Sequence, residues 1–312
     1  MNPVLLYFAS GESLYTGAFL LLLVAVISLR LRGRWALRTR NVTAWLAFVM
    51  IVMACPPFPW VIDGTFFGVF LLWIMGSDTV VVPHTSVKIR TVVTAPLLIL
   101  LLALPAVEYS HRAMPMIAGI PSDHLVVLGD SVSSGIDPHV PAWPDVLEKT
   151  TGAHVKNLSR PGAQTSEGQV MAESITQEDS VVLIEIGGND LLSGVPSNEF
   201  GRALDALLSK VRAPGRTVVM FELPLLPNKI AHGQIQRRLA AKYGVFLIPK
   251  RFFVNVIGSA NATSDGLHLS DAGARRMAAL VAQVLSHVLK PSATTGGPRV
   301  TPPLRPCYPQ AA

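Results

Sequence analysis

Long apolar runs dominate the first third of the chain, and shorter alternating patterns replace them afterwards. A helix needs about 20 apolar residues to cross the hydrocarbon core of a bilayer. The pattern predicts four crossings, at residues 14–31, 42–62, 65–82 and 91–107. We expect the second to be bent or broken near Pro56, Pro57 and Pro59, because proline removes a helical hydrogen bond. The third is the weakest, because Asp78 interrupts it.

Positive charges between these runs predict how the membrane region is oriented. Lys88 and Arg90 precede the last run, and an arginine cluster follows the first run, at Arg30, Arg32, Arg34, Arg38 and Arg40. Four crossings place all of these residues in the cytoplasm, whereas three would expose Lys88 and Arg90 outside, against the positive-inside bias. We therefore expect a multi-pass cell-membrane protein whose part after residue 110 is extracytoplasmic. An anchor is the simplest role for its helices, since few charges interrupt them.

From residue 122 the pattern indicates a different kind of structure. Short β-rich runs alternate with amphipathic helical stretches, which is typical of a parallel sheet covered on both faces. The predicted strands are 124–128, 154–158, 181–186, 217–223 and 245–248, and the predicted helices are 143–150, 166–175, 198–211, 230–243 and 270–289. The expected fold is an α/β three-layer αβα sandwich with a five-stranded parallel sheet of flavodoxin-like type, preceded by an all-α transmembrane region.

Composition supports a division into three parts. With 50% hydrophobic residues and a mean hydropathy of +0.43, the 312-residue chain is too apolar for one ordinary soluble globule. The expected domains are a transmembrane region at 1–110, a catalytic domain at 122–289 and a disordered Pro-rich tail at 290–312, which cannot bury enough apolar surface to fold.

Charge and cysteine content exclude several functions. The net charge of +6 comes from the two ends of the chain, because residues 111–289 carry equal numbers of basic and acidic side chains. No nucleic-acid partner is therefore expected. The two cysteines, Cys55 and Cys307, imply neither a disulfide framework nor a Cys-based metal site.

Four motifs in the second part carry candidate chemistry. They are Gly129-Asp130-Ser131, Gly162, Gly187-Gly188-Asn189-Asp190 and the pair Asp265 and His268. Each of the first three follows a predicted strand, at the sheet edge where open α/β folds bind ligands. A serine that attacks, a histidine that takes its proton and an aspartate that holds the histidine form an ester-cleaving set.

Each motif also has a plainer interpretation. Ser131 could cap a helix, Gly162 could serve a turn, and the Gly187-Gly188 pair could form a β-turn. A single Asp-x-x-His spacing is common by chance. The occurrence of all four motifs in one order favours the catalytic interpretation.

Together the motifs resemble the four sequence blocks of the SGNH (GDSL-type) hydrolases, especially their thioesterase, lysophospholipase and arylesterase branch. The resemblance covers about residues 122–289, and Val132 stands where the family often has leucine. It implies that Ser131 is the nucleophile and that His268 is the general base, oriented by Asp265. It further implies an oxyanion hole formed by the N–H groups of Ser131 and Gly162 and the amide of Asn189. The supporting motif residues are Gly129, Asp130, Gly187, Gly188 and Asp190.

Other polar residues have less specific patterns. Glu185 and Glu222 could be mistaken for a glycosidase pair, but we expect them to be structural hydrogen-bond partners. The histidines show no metal-ligand spacing, and no metal or cofactor is expected. The leucines of Leu191-Leu192 and of the 224–227 loop could line an acyl pocket, although core packing explains them equally well.

The sequence therefore predicts a membrane-anchored serine esterase or acylhydrolase that cleaves carboxylic esters or thioesters through an acyl-enzyme. Its expected substrate is a lipid or an acylated glycan. Two alternatives stay open: an acyltransferase or deacetylase acting on surface glycans, and a catalytically idle, membrane-anchored binding module.

Overall fold

A computed structural model describes residues 2–30, 34–76 and 87–292 of the chain. Arg32, Asp78 and residues 77–82 of the third predicted crossing lie outside these ranges. So do residues 293–312, which make up most of the tail predicted to be disordered.

A five-stranded parallel sheet forms the centre of the second part, as expected. Its strands are β1 (His124–Gly129), β2 (His154–Asn157), β3 (Val181–Glu185), β4 (Thr217–Phe221) and β5 (Phe246–Ile248). Their order across the sheet is β2-β1-β3-β4-β5, and every neighbouring pair is parallel. This order puts β1 and β3 next to each other, so the motifs that follow them meet at one edge.

Helices cover both faces of this sheet. Its helices are α6 (Ser131–Ser134), α7 (Trp143–Thr151), α8 (Thr165–Met171), α9 (Gly188–Leu192), α10 (Ser197–Val211), α11 (Ile230–Tyr243), α12 (Lys250–Ile257) and α13 (Asp271–Val284). Val126 and Leu128 of β1 face a core shared with α8, α10 and α11. Leu125 and Val127 face the opposite core, shared with α7, α12 and α13. The alternation along β1 thus fills two apolar layers.

The sequence pattern misplaced some helix boundaries here. The last helix ends at Val284, whereas the prediction extended it to residue 289. The continuing apolar pattern is explained by Leu285, Val288 and Leu289, which are buried after the helix has ended. The eight-residue helix α12 had not been predicted from the sequence.

Five helices precede the sheet in the part of the chain that the structure describes. They are α1 (Pro3–Ala9), α2 (Ser13–Ser28), α3 (Arg34–Met53), α4 (Trp60–Gly76) and α5 (Val87–Tyr109). The predicted run at 42–62 is broken and not merely bent, because the chain leaves the helix between Met53 and Trp60. Prolines 56, 57 and 59 lack the N–H groups that a helix needs, and Cys55 has a positive φ of 47°. The predicted start at residue 65 therefore lies inside α4.

Two of these helices are long and apolar enough to cross a membrane, over Trp35–Met53 and Thr91–Tyr109. A third candidate combines α1 and α2, which are bent by 84° relative to each other. The fourth apolar helix, α4, has 17 residues and is shorter.

Several contacts join the described part of the N-terminal helices to the α/β domain, and three of them show how these helices run. Glu12, just before α2, lies 3.9 Å from the guanidinium of Arg251 in α12. The carbonyl oxygen of Ala54, just after α3, accepts a hydrogen bond from Lys250 at 3.3 Å. Glu108, near the end of α5, pairs with Arg237 at 2.7 Å. The start of α2, the end of α3 and the end of α5 therefore lie at the same end of the helical region, beside the α/β domain.

Candidate active site

Ser131 lies directly after the first strand, at the start of a short helix. Strand β1 ends at Gly129, and Asp130 caps α6 by accepting a hydrogen bond from the N–H of Val132 at 3.0 Å. A Cβ at position 129 would lie 2.7 Å from the Ser133 side chain and 3.0 Å from the Glu185 carbonyl oxygen. Glycine is therefore required for this sharp strand-to-helix turn, which places Ser131 as the first residue of α6.

Asp130 also holds the asparagine of the third motif. The Nδ2 group of Asn189 donates to the Asp130 carboxylate at 3.2 Å and to the Ala163 carbonyl oxygen at 3.1 Å. These two bonds join the ends of β1 and β3 to the loop that contains Gly162. Donation from Asn189 to a substrate oxygen therefore requires one of the two bonds to be shared or released.

Asp190 fixes the same loop from the other side. Its buried carboxylate accepts hydrogen bonds from the Thr165 N–H at 2.9 Å and from the Thr165 hydroxyl at 3.0 Å. Thr165 begins α8, three residues after Gly162. Gly187, with a φ of 110°, precedes the helix α9 that carries Asn189 and Asp190.

Two backbone donors at this edge have no acceptor. Among the hydrogen bonds of the described residues, neither the N–H of Ser131 nor that of Gly162 is a donor. Gly162 has a φ of 75° and open space where a side chain would be. Such free N–H groups can stabilise a negative charge that develops on a substrate oxygen.

The aspartate and histidine of the fourth motif are joined as the sequence suggested. Nδ1 of His268 lies 2.5 Å from one carboxylate oxygen of Asp265. The other oxygen accepts from the backbone N–H groups of Leu267 and His268 at 2.9 and 2.8 Å. The hydrogen bond from the His268 N–H and the bond to its ring hold the pKa of Asp265 below its ordinary value. An ionised Asp265 that binds Nδ1 leaves the other ring nitrogen available.

Ser131 borders two cavities that meet at its position. The smaller, of about 80 Å³, is also lined by Asp265, His268 and Trp143. The larger, of about 220 Å³, is also lined by Asn189 and is mostly apolar. The structure thus brings Ser131 and His268 to one cavity, although no hydrogen bond joins the two side chains within the described residues. Catalytic hydrogen bonds are often long in free enzymes and shorten in the substrate complex.

Two buried carboxyl groups lie behind the serine. Glu185, at the end of β3, accepts a hydrogen bond from the Ser133 hydroxyl at 2.7 Å, and Trp143 donates to that hydroxyl at 3.1 Å. Burial raises the pKa of Asp130 to about 6 and raises the pKa of Glu185 well above its ordinary value. Glu185 is therefore a structural partner, as expected, and so is Glu222, which accepts from Arg237 at 2.6 Å.

Sequence reasoning missed one wall of the larger cavity. Leu5, Leu6 and Ala9 of α1 line it, together with Phe253 and Ile257 of α12. The available signal was the segment Pro3–Ala9, where Asn2 and Pro3 form a typical helix start. The expected leucine lining is correct in part. Leu191, Leu192 and Leu226 line the cavity, whereas Leu225 is buried in the core.

Comparison with known proteins agrees with this arrangement. Residues 127–276 match the model of the GDSL-like Lipase/Acylhydrolase family. An arylesterase of Vibrio mimicus is 32% identical over 181 residues, which cover 53% of this chain and 88% of that protein. Esterase TesA of Pseudomonas aeruginosa is 29% identical over 160 residues, covering 46% of this chain and 78% of that protein. A crystal structure of TesA aligns with a TM-score of 0.46 at 29% identity, over 53% of this chain and 99% of that one.

The match to the Vibrio mimicus arylesterase extends over most of that enzyme. The family match at residues 127–276 includes the strand ends and loops that border the two cavities. The chain therefore belongs to the GDSL-like lipase/acylhydrolase family and is an ester-cleaving hydrolase.

Proposed function

We propose that this protein is a membrane-anchored serine esterase or acylhydrolase with Ser131 as its nucleophile. The observation that carries the proposal is the position of Ser131 between two cavities. One is lined by Asp265 and His268, and the other is apolar and reaches Asn189. A serine between a base and an apolar pocket fits attack on an ester whose acyl part occupies that pocket.

The reaction follows from the chemistry of these groups. The Ser131 hydroxyl oxygen attacks the ester carbonyl carbon while its proton passes to the free ring nitrogen of His268. The tetrahedral intermediate breaks its bond to the leaving alcohol or thiol, which takes the proton from His268. Water then attacks the acyl-enzyme, gives a proton to His268 and releases the acid, and that proton returns to Ser131. Asp265 orients His268 throughout.

The negative charge on the carbonyl oxygen needs donors at a fixed place. The free N–H groups of Ser131 and Gly162 are two candidates. The Asn189 amide is the third, with its orientation set by Asp130 and the Ala163 carbonyl oxygen. In other enzymes, removing one such donor typically lowers kcat by about 10²–10³-fold.

We further propose three domains and four membrane crossings. The helices α2 to α5 form the membrane region at 1–110, residues 122–289 form the hydrolase domain, and 290–312 form a tail. The contacts of Glu12, Ala54 and Glu108 with Arg251, Lys250 and Arg237 of one domain support an alternating course of the helices. Arg40 stacks on Trp73 at 5.4 Å, and this contact joins the start of α3 to the end of α4. The arginines at that end and the positive-inside bias support an extracytoplasmic hydrolase domain.

Replacement of Ser131 tests the proposed nucleophile. In Ser131→Ala, we expect labelling by a fluorophosphonate probe to be lost and ester hydrolysis to fall at least about 10³-fold. The matched control is Ser134→Ala, in the same short helix, which should label and turn over normally. Full hydrolysis by Ser131→Ala would overturn the assignment.

Replacement of Asn189 tests the oxyanion donor. We expect Asn189→Ala to lower kcat by about 10²–10³-fold with a smaller effect on KM, because the charge develops only in the transition state. The control is Asn198→Ala, which changes an exposed asparagine of α10. Normal turnover by Asn189→Ala would remove this residue from the mechanism.

A further inference from the structure

The N-terminal helix α1 is held firmly against the hydrolase domain. It packs on α12, and Leu6 lies over Gly258, where a Cβ would be 2.8 Å from the leucine Cδ1 atom. The segment after α1 is held beside α12, because Glu12 lies 3.9 Å from Arg251. Glu12 also binds Arg112 at 3.1 and 2.6 Å, and the carbonyl oxygen of Arg112 accepts a hydrogen bond from Arg251 at 2.8 Å. The helix lies outside residues 127–276, the part that matches the family. Any role of α1 in the reaction is therefore additional to the family's shared site.

This helix closes one side of the larger cavity. Leu5, Leu6 and Ala9 line the cavity of about 220 Å³ that also includes Ser131 and Asn189. The other walls are mainly leucine, phenylalanine and other apolar side chains of the hydrolase domain. A group bound beside the Ser131 hydroxyl would therefore extend along an apolar surface that ends at α1.

The mouth of this cavity is unusually apolar for a surface in contact with water. Four leucines that line it are also exposed, namely Leu5 at 49%, Leu192 at 66%, Leu226 at 38% and Leu267 at 40%. Clustered exposed apolar side chains indicate contact with a lipid or another apolar partner. They come from four separate segments, so the cluster is a property of the fold and not of one loop.

The direction of α1 identifies which apolar partner this is. Helix α1 makes an angle of 84° with α2. If α2 crosses the membrane, α1 lies almost parallel to the membrane surface, as amphipathic interfacial helices do. The α1 wall and the leucine-rich mouth of the cavity then lie at the height of the membrane surface.

We propose that α1 forms one wall of an acyl-chain subsite that opens toward the membrane surface. The substrates are then esters or thioesters of apolar acyl chains supplied from the lipid phase. This inference rests on Ser131 being the nucleophile, as proposed above. A short acyl group on a polar glycan is the competing substrate, and it would leave the α1 wall without contact.

Chain-length selectivity of the purified full-length protein in detergent tests this inference. The probes are the p-nitrophenyl esters of acetate and octanoate. Wild type should prefer octanoate in kcat/KM, since each methylene buried in an apolar pocket improves transition-state binding. Ala9→Leu adds bulk to the α1 wall and should lower kcat/KM for octanoate by about tenfold or more, with acetate changed less than about twofold. Leu6→Ala, which removes bulk, should also reduce the preference for octanoate.

The matched control is Val4→Trp, on the same helix. Val4 is 59% exposed and does not line the cavity. This variant should keep the wild-type ratio of octanoate to acetate hydrolysis. A wild-type preference for acetate, or an unchanged ratio in both Ala9→Leu and Leu6→Ala, would overturn the role of α1.

Failure of this inference can be told apart from failure of the nucleophile assignment. Ser131→Ala could lose acetate hydrolysis while the α1 variants keep the wild-type chain-length ratio. This result would support the proposed esterase site and contradict only the role of α1. If Ser131→Ala still hydrolyses the acetate ester, Ser131 is not the nucleophile, and the inference, which depends on that assignment, fails with it.

Discussion

At the scale of single residues, the site is built on buried carboxyl groups. Asp130 is 4% exposed and Glu185 is 6% exposed, and the N–H of Asp130 donates to the Glu185 carbonyl oxygen at 3.2 Å. Burial raises both pKa values because the ionised forms lose their hydration. Asp130 nevertheless gains a hydrogen bond from Asn189 that orients a proposed oxyanion donor. Burial of these carboxyl groups therefore costs some folding stability, while Asp130 holds the Asn189 amide in one orientation.

Glu185 gives a prediction about stability and pH. Its folded-state pKa lies above the ordinary value of 4.5, so the folded protein keeps a proton that the unfolded chain releases. The contribution of Glu185 to the free energy of unfolding is therefore fully present at low pH. It is lost as the pH rises from about 4.5 toward the folded-state pKa. The side chain of Glu185→Gln does not ionise, so the variant avoids this loss of stability, and its amide oxygen can still accept the hydrogen bond from Ser133. We expect its Tm, relative to wild type, to be higher at pH 8 than at pH 5.

Thermal unfolding in detergent at both pH values measures this effect. The control is Glu199→Gln, an exposed residue at the start of α10, which should show the same Tm difference at both pH values. An equal shift for Glu185→Gln at pH 5 and pH 8 would contradict the assigned pKa direction.

The sequence predicted some residue contacts and not others for a physical reason. Asp265 and His268 are three residues apart, and a loop can join them whatever the rest of the fold does. The hydrogen bond between Asp130 and Asn189 spans 59 residues and depends on β1 and β3 being neighbours. Strand order follows from the packing of the whole domain, so this contact could not be inferred from local pattern.

At the scale of elements, a buried charge cluster connects the N-terminal helical region to the hydrolase domain. Arg237 of α11 binds both carboxylate oxygens of Glu108, at 2.7 and 2.8 Å, and donates to Glu222 at 2.6 Å. The Arg237 side chain is 12% exposed and that of Glu108 is 10% exposed. All three groups are largely removed from water. The attraction between their opposite charges therefore has to offset the loss of their hydration.

Removal of the arginine should therefore be costly. Arg237→Ala leaves two buried carboxylates without their cation, and we expect a loss of about 3–5 kcal/mol in unfolding free energy. The neighbouring Arg238→Ala is the control, because Arg238 is exposed and its loss should change stability by less than about 0.5 kcal/mol. Thermal or denaturant unfolding of the two variants in detergent makes the comparison. Equal unfolding free energies for the two variants would show that the cluster contributes little to the contact between the helical region and the hydrolase domain.

Element types were easier to predict than element ends. The five strands were found at nearly their observed positions because buried parallel strands form short β-rich runs. The prolines between α3 and α4 predicted either a bend or a break, without deciding between them. The segment became a full interruption because Lys250 and Gln234 bind backbone carbonyl groups of Ala54 and Phe58 there. Such tertiary contacts stabilise a non-helical segment that apolar periodicity alone does not indicate.

At the scale of the whole molecule, the contacts between the two parts define one face of the helical region. The start of α2, the 54–59 loop and the end of α5 all contact the hydrolase domain. The start of α3, with Arg38 and Arg40, lies toward the opposite end. Trp60, 81% exposed at the start of α4, suits the membrane interface beside the hydrolase domain.

This arrangement predicts the sidedness of the active site. In intact cells that express the protein, a membrane-impermeant fluorophosphonate should label Ser131 as completely as in lysed cells. Ser131→Ala is the control for specific labelling. An alkaline phosphatase fused after residue 115 should likewise be active. Labelling that appears only after lysis would require an odd number of crossings or the reverse orientation.

The position of α1 has a consequence for work on a truncated, water-soluble version of this enzyme. A truncation that starts after Tyr109 would retain the residues that match the family but would lack Leu5, Leu6 and Ala9. Its pocket would be open to bulk water along one side, and the ordering of long substrates would be lost. Substrate surveys on such a shortened protein would describe a less discriminating catalyst than the one that resides in the cell.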